Sequence, residues 1–253
     1  MRENTRMVLG LAMVGAVTIL VAVAARGDGF WAKKDWKQWT EEDTKKLLEN
    51  SPWARPYNIG RSVVSAALPS RSGAAQRGAA GEDVEEIYYY VQLRSALPVR
   101  EALVRQEQLK HKYDKMMPDE KQKFDAENEE LLGHDYDKEI LVHVVYGSNI
   151  RDYEMSLATY WQGIPEGTLP LNVFLITPRG DHVGPVRYVS PKNGEHEFEL
   201  VFPRSFNGEP TIREGDKWFR FEFPHPQIAD LPQERGLVDF HTDQMMYNGR
   251  LAY

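Results

Sequence analysis

The sequence predicts a mainly β fold: an immunoglobulin-like antiparallel β-sandwich with an inserted α-helical hairpin, preceded by an N-terminal Trp-rich helical segment. Three observations carry this expectation. Apolar and polar residues alternate over Glu86 to Arg94, Glu197 to Phe202 and Phe219 to Phe223, the period of a strand with one buried face. Turn signals punctuate the later runs: Pro178-Arg179-Gly180-Asp181, Asn193-Gly194, Asn207-Gly208 and Glu214-Gly215-Asp216. Short strands with turns between them argue for a sandwich. Pro98 and Pro118 each open a stretch of helical spacing just after the first alternating run, as proline does at a first helical turn.

In chain order, residues 1–25 read as a signal peptide or a membrane anchor. Arg2 and Arg6 precede the uncharged run Met7 to Ala25, and Ala22-Val23-Ala24 offers a processing site. The run is close to the ~20 residues a membrane span needs, so an uncleaved anchor is the alternative. Either way the basic N-terminus leaves the body outside the cytoplasm. Residues 26–67 form a Trp-rich segment expected to dock on the sandwich. Within it, residues 40 to 50 are helical, with Thr40 as N-cap and Asp43 completing a capping box. Ser51-Pro52 ends that helix, and a weak strand is expected around Ser62 to Ala66. Residues 68–83 are small and polar without a period, as in a flexible linker.

The sandwich is expected over residues 84–253, with the helical hairpin at about 97–132. In the first strand Ile87, Tyr89, Val91 and Leu93 face inward. Ser95 is the expected cap of the first hairpin helix, whose apolar residues include Val99, Ala102 and Leu103. The second helix, to about Leu132, is poorly amphipathic. Ile140 to Tyr146 is nearly continuously apolar, as for an interior strand. Residues 148 to 169 read as irregular or partly helical. Asn172 to Thr177 and Val186 to Val189 are short strands. Phe198, Leu200 and Phe202, then Phe219, Phe221 and Phe223, face the core. The last residues, Met245 to Tyr253, read as a terminal hairpin around Asn248-Gly249.

Composition bounds the function. The 253 residues are 42% hydrophobic and 27% charged, which is globular and allows one or two domains. A net charge of -7, with no basic run longer than Lys33-Lys34, argues against nucleic acid as a partner. No cysteine is present, which excludes thiol catalysis, disulfides, zinc-thiolate sites and lipoprotein acylation.

The run Trp36-Lys-Gln-Trp39-Thr40-x-Glu42-Asp43-x-x-Lys46-Leu47-Leu48-x-x-Ser51-Pro52-Trp53-Ala54, followed by a strand and Pro98-Val99-Arg100-x-Ala102-Leu103, resembles a group of uncharacterised exported proteins of soil Acidobacteria. The resemblance covers residues 31 to 132 and, more loosely, the sandwich. It implies a compartment and a shared fold, and it carries no activity.

Four of the six tryptophans, Trp31, Trp36, Trp39 and Trp53, crowd into this run. Trp is costly to leave wet, so the cluster is either a partner surface or a docking surface on the protein's own body. Tyr88, Tyr89 and Tyr90 with Trp161 and Trp218 offer an aromatic platform for sugars, against plain cross-strand packing. His134-Asp135-Tyr136-Asp137 has too few ligands for a calcium loop. His241, Asp239 and Asp243 are at most part of a hydrolytic triad, with no G-x-S-x-G elbow to complete it. No nucleotide motif is present, and no cofactor is expected. The expectation is a non-enzymatic envelope protein that binds or scaffolds an envelope protein or polysaccharide, touching the membrane only through residues 1–25. The alternatives are a hydrolase of envelope polymers and a carbohydrate-binding module.

Overall fold

The alternation that begins at Glu86 builds β2 (Glu86–Leu93), and both its neighbours pair with it antiparallel: β1 (Ala54–Gly60) and β3 (Glu139–Ser148). The computed structural model describes residues 29–60, 86–165, 168–169, 171–192, 194–228, 231 and 235–253. The export segment 1–25, the linker 68–83 and the strand expected at 62 to 66 lie outside the described residues. β7 (Glu197–Pro203) pairs with β3, and β6 (Arg187–Val189) closes a five-stranded sheet in the order β1-β2-β3-β7-β6. Register aligns Val91, Val144 and Phe198 across three strands on one face. All three are buried.

The second sheet has four strands. β10 (Phe219–Pro224) lies between β11 (Arg235–Phe240) and β4 (Phe174–Ile176), with β5 (His182–Val183) at the far edge. Its Phe219, Phe221 and Phe223 are fully buried. Ring contacts join the sheets in one core: Phe202 to Phe221 at 6.2 Å and Tyr89 to Phe223 at 4.9 Å. Two small hairpins complete the strands. β8 (Ser205–Phe206) and β9 (Glu209–Pro210) turn at Asn207-Gly208, and β12 (Met246–Tyr247) and β13 (Arg250–Leu251) turn at Asn248-Gly249. All four turn residues have positive φ, between 50° and 81°, as such tight turns require.

Among the described residues, four α-helices pack around the sheets. α1 (Glu41–Glu49) starts at a full capping box: the Asp43 N–H donates to Thr40 Oγ1 at 3.2 Å, and the Thr40 N–H donates to Asp43 Oδ2 at 2.9 Å. Gln92 on the outer face of β2 donates to the Leu48 carbonyl at 2.7 Å, which seats α1 there. α2 (Leu97–Lys110) and α3 (Pro118–Gly133) form the hairpin between β2 and β3. α4 (Arg151–Gln162) presses Trp161 onto Phe198, ring to ring at 4.1 Å.

Three expectations need correction. Helix and strand are balanced among the described residues, at 33% and 32%. The fold is therefore mixed, with antiparallel sheets, rather than mainly β. The helix beyond the hairpin and the Trp-rich segment is α4, within the stretch 148 to 169 that reads as irregular or partly helical. The Trp-rich segment is not only a docked appendage, because it supplies β1 to the sheet. That strand carries Pro56, tolerated because β1 is an edge strand. Ser95 caps nothing: Ala96 holds the N-cap position without a side-chain bond.

Candidate functional site

The Trp-rich segment is built from two short 3-10 turns, Phe30–Ala32 and Trp36–Gln38, before α1. Trp39 and Trp53 are fully buried. The Trp39 indole N–H donates to the Lys34 carbonyl at 3.1 Å, and that of Trp53 to the Ala252 carbonyl at 2.8 Å. Trp31 is half-buried and meets Trp53 edge-on at 5.3 Å. Tyr247 meets Trp53 from the other side at 6.2 Å. Trp31 and Trp53 thus belong to one seam between the segment and the C-terminal hairpin, while Trp39 is enclosed within the segment, edge-on to Phe30 at 5.6 Å.

Trp36 is the exception. It stays half-exposed beside a groove of about 1200 Å³, with Lys37 over its ring at 5.7 Å. The groove runs between Trp36, α2 and α3. Val104, Met116, Ala126 and Leu132 give it apolar lining, and Lys37, Lys121, Asp125 and Glu129 bring both signs of charge. Its shape follows from α3, a 16-residue helix that buries only Phe124. A helix that buries a single side chain leaves open space along its flank. The other wall is firm. Arg105 of α2 donates from Nε to the Trp39 carbonyl at 2.9 Å and from Nη1 to Gln108 at 3.1 Å, tying the segment to the helix. Tyr113 donates to Asp125 at 2.8 Å and fixes the hairpin's closed end.

A polar cluster was hidden within the apolar run of β3. His143 is buried on the outer face of the first sheet, opposite Gln92 and Glu199. Its Nε2 lies 3.3 Å from Glu197 and its Nδ1 3.5 Å from Glu199, neither directed well enough for a hydrogen bond. Arg94 reaches Glu199 at 3.3 Å. Burial pushes His143 below the ordinary imidazole range. Contact with His143, and then the charges of Arg94 and Arg187, hold Glu199 below the usual carboxylate range. The sequence signal was His143 itself, a titratable residue in the middle of Ile140 to Tyr146.

The other candidates separate. Trp161 lies in the core, while Tyr88 and Tyr90 tilt against each other at 5.8 Å on the outer face of β2. Trp218 precedes β10 in the second sheet, with Arg220 over it at 5.9 Å. They therefore form no common platform. Asp239 is gripped by Arg220 at 2.6 and 2.9 Å, which takes up the carboxylate that would support His241, and Asp243 sits in the 3-10 turn Thr242–Gln244. Asp135 accepts the Asp137 N–H at 2.8 Å in a local turn. Among the described residues no group of three metal-ligating side chains converges, and no helix is long and apolar enough to cross a membrane. No protein-family model matches the chain, and no curated protein or solved structure resembles it significantly.

Proposed function

We propose that the protein is a non-enzymatic binding module of the bacterial envelope, which holds a polypeptide segment of a partner in the groove at Trp36. The observation that carries this reading is the groove itself. At about 1200 Å³ it exceeds the ~300–1,000 Å³ of small-molecule pockets. Apolar lining with charges of both signs matches a polypeptide surface better than a uniformly charged polymer. The body is then a two-sheet sandwich, immunoglobulin-like in general shape, that carries the helical hairpin as its binding arm. Export rests on residues 1–25 and on the resemblance to exported proteins. The hydrolase reading has less support, since His143 is enclosed and no hydroxyl nucleophile bonds it. The carbohydrate reading loses its basis with the dispersal of the aromatic platform.

Site-specific photocrosslinking tests the proposal. A benzophenone side chain is placed at Gln122, in the groove, and at Glu42, an exposed residue of α1, as control. Irradiation of the native envelope is expected to trap one discrete polypeptide from Gln122 alone, and Trp36→Ala is expected to abolish the adduct. Equal capture from both positions, or capture of polysaccharide only, overturns the reading.

A further inference from the structure

A second cavity lies beyond the end of the hairpin, and two arginines without an ion-pair partner among the described residues line it. Arg100 of α2 is 7% exposed. Its Nη1 donates to the carbonyls of Leu131, Leu132 and His134 at 3.1, 2.7 and 3.1 Å. These are the last carbonyls of α3, where the helix dipole favours a cation. The guanidinium also lies over the Tyr136 ring at 5.0 Å. Arg204, just after β7, is held in the same manner. Its Nη1 donates to the Tyr136 and Glu139 carbonyls at 3.0 and 3.4 Å, and its guanidinium covers the Tyr253 ring at 4.0 Å. Both arginines line a cleft of about 320 Å³.

Three features of the cleft are unexplained by stapling the fold. Neither Arg100 nor Arg204 has a carboxylate within 4.0 Å among the described residues. Arg100 Nε is buried without a hydrogen-bond partner. Ser95, 3% exposed, lines the same cleft, and its Oγ also lacks a partner. A buried guanidinium without a counter-charge is costly, and a second one nearby adds repulsion. Burial above all pulls Arg100 below the ordinary guanidinium range; Tyr136 and the Glu101 carboxylate partly oppose it, and the charge of Arg204 adds to it. Asp135 and Asp137 face the cleft from the loop, and Arg250 from the C-terminal hairpin. All three are exposed, so water screens them more than it screens Arg100.

We propose that this cleft binds a small oxyanion, a carboxylate or phosphate group on a small molecule, between Arg100, Arg204 and the hydroxyl of Ser95. Guanidinium groups match both head groups through paired N–H donors. The ligand would offset both charges and supply acceptors to the unpartnered donors. The volume, near the lower end for small-molecule pockets, fits a ligand of about monosaccharide size. This site is independent of the peptide groove, and either can fail alone.

Calorimetric titration of the purified protein with glucuronate, glucose 6-phosphate and inorganic phosphate, with glucose as the neutral control, tests the proposal. Saturable binding of at least one anion and none of glucose is expected, weakening as salt is added. A response to glucuronate alone assigns a carboxylate, and a response to the two phosphates alone assigns a phosphate. Arg204→Gln, less buried than Arg100, is expected to weaken binding about tenfold or more, since a hydrogen bond to a charged group contributes at least that. Ser95→Ala, the smaller change, serves as the second variant and is expected to weaken binding by a lesser factor with its unfolding midpoint retained. Absence of binding at about 10 mM anion, a range that still detects affinities weaker than 1 mM, overturns the site. So does equal affinity in folded Arg204→Gln and Ser95→Ala, or equal binding of glucose.

Discussion

Trp53 and Trp36 lie 17 positions apart in the same cluster and do opposite things. Trp53 is enclosed between Trp31, Tyr247 and the Ala252 carbonyl. Its replacement by Ala is expected to cost about 3–5 kcal/mol, the range for a buried aromatic. Trp36→Ala, at the open rim and only partly buried against the core, is expected to cost clearly less, about 1–2 kcal/mol. Urea midpoints of the two variants check the contrast, and similar losses would contradict it. His225 gives a prediction in pH. It is 4% exposed, its Nδ1 lies 2.9 Å from the Tyr89 hydroxyl, and burial pushes it down to about 4. The folded ring is neutral, while the unfolded chain takes up a proton below pH ~6.5. The stability that this difference contributes is complete above pH ~6.5 and is lost as pH falls through about 4, amounting to roughly 3 kcal/mol. Unfolding measured at pH 7.5 and 4.5 should show a smaller acid loss in His225→Gln than in the wild type. Equal losses would show that His225 is not the group responsible.

At the scale of elements, β11 explains both a gap in the sequence reading and a close contact. Gly236, Val238 and Phe240 face inward while Leu237 is exposed, so the strand opens its inner face with a glycine and puts a leucine in water. That pattern hides its alternation. The glycine is there for space: the Phe223 ring covers its cross-strand partner Gly236, and an added Cβ would lie 2.1 to 2.5 Å from the ring carbons. Gly236→Ala is expected to cost about 1–3 kcal/mol by overpacking, measurable as a lowered midpoint, and a neutral result would mean the ring swings aside freely. Elsewhere local chemistry was legible. The capping box at Thr40, the alternation of β2, β7 and β10, and the Asn-Gly turns at 207–208 and 248–249 each declare themselves within a few residues. β1 did not, because Pro52 and Pro56 signal interruption, and only its place at a sheet edge makes the proline harmless. The tryptophan seam was legible as a cluster in need of cover, but its cover comes from Tyr247 and Ala252, far along the chain. The Arg100 cleft was illegible for the same reason: Ser95, Arg100 and Arg204 share no spacing, and only the hairpin's return brings them together.

For the whole molecule, the Trp-rich segment and the last residues described close the same seam. Trp53 and Ala252 are 199 positions apart, and Tyr253 donates to the Ile212 carbonyl at 2.9 Å from the same end of the chain. Deleting residues 245–253 is expected to expose the Trp53 indole, seen as a red shift of tryptophan emission and a lowered midpoint. An unshifted spectrum would show that the hairpin is dispensable to the seam. The bond also sets a clock on synthesis. A ribosome adding about 5–20 residues per second needs about 10–40 seconds to pass from Trp53 to Ala252. Throughout that interval the Trp53 N–H lacks the carbonyl that finally accepts it. The seam around Trp53 therefore stays open until Ala252 has been made, which leaves whatever machinery receives the chain an unfinished substrate for tens of seconds.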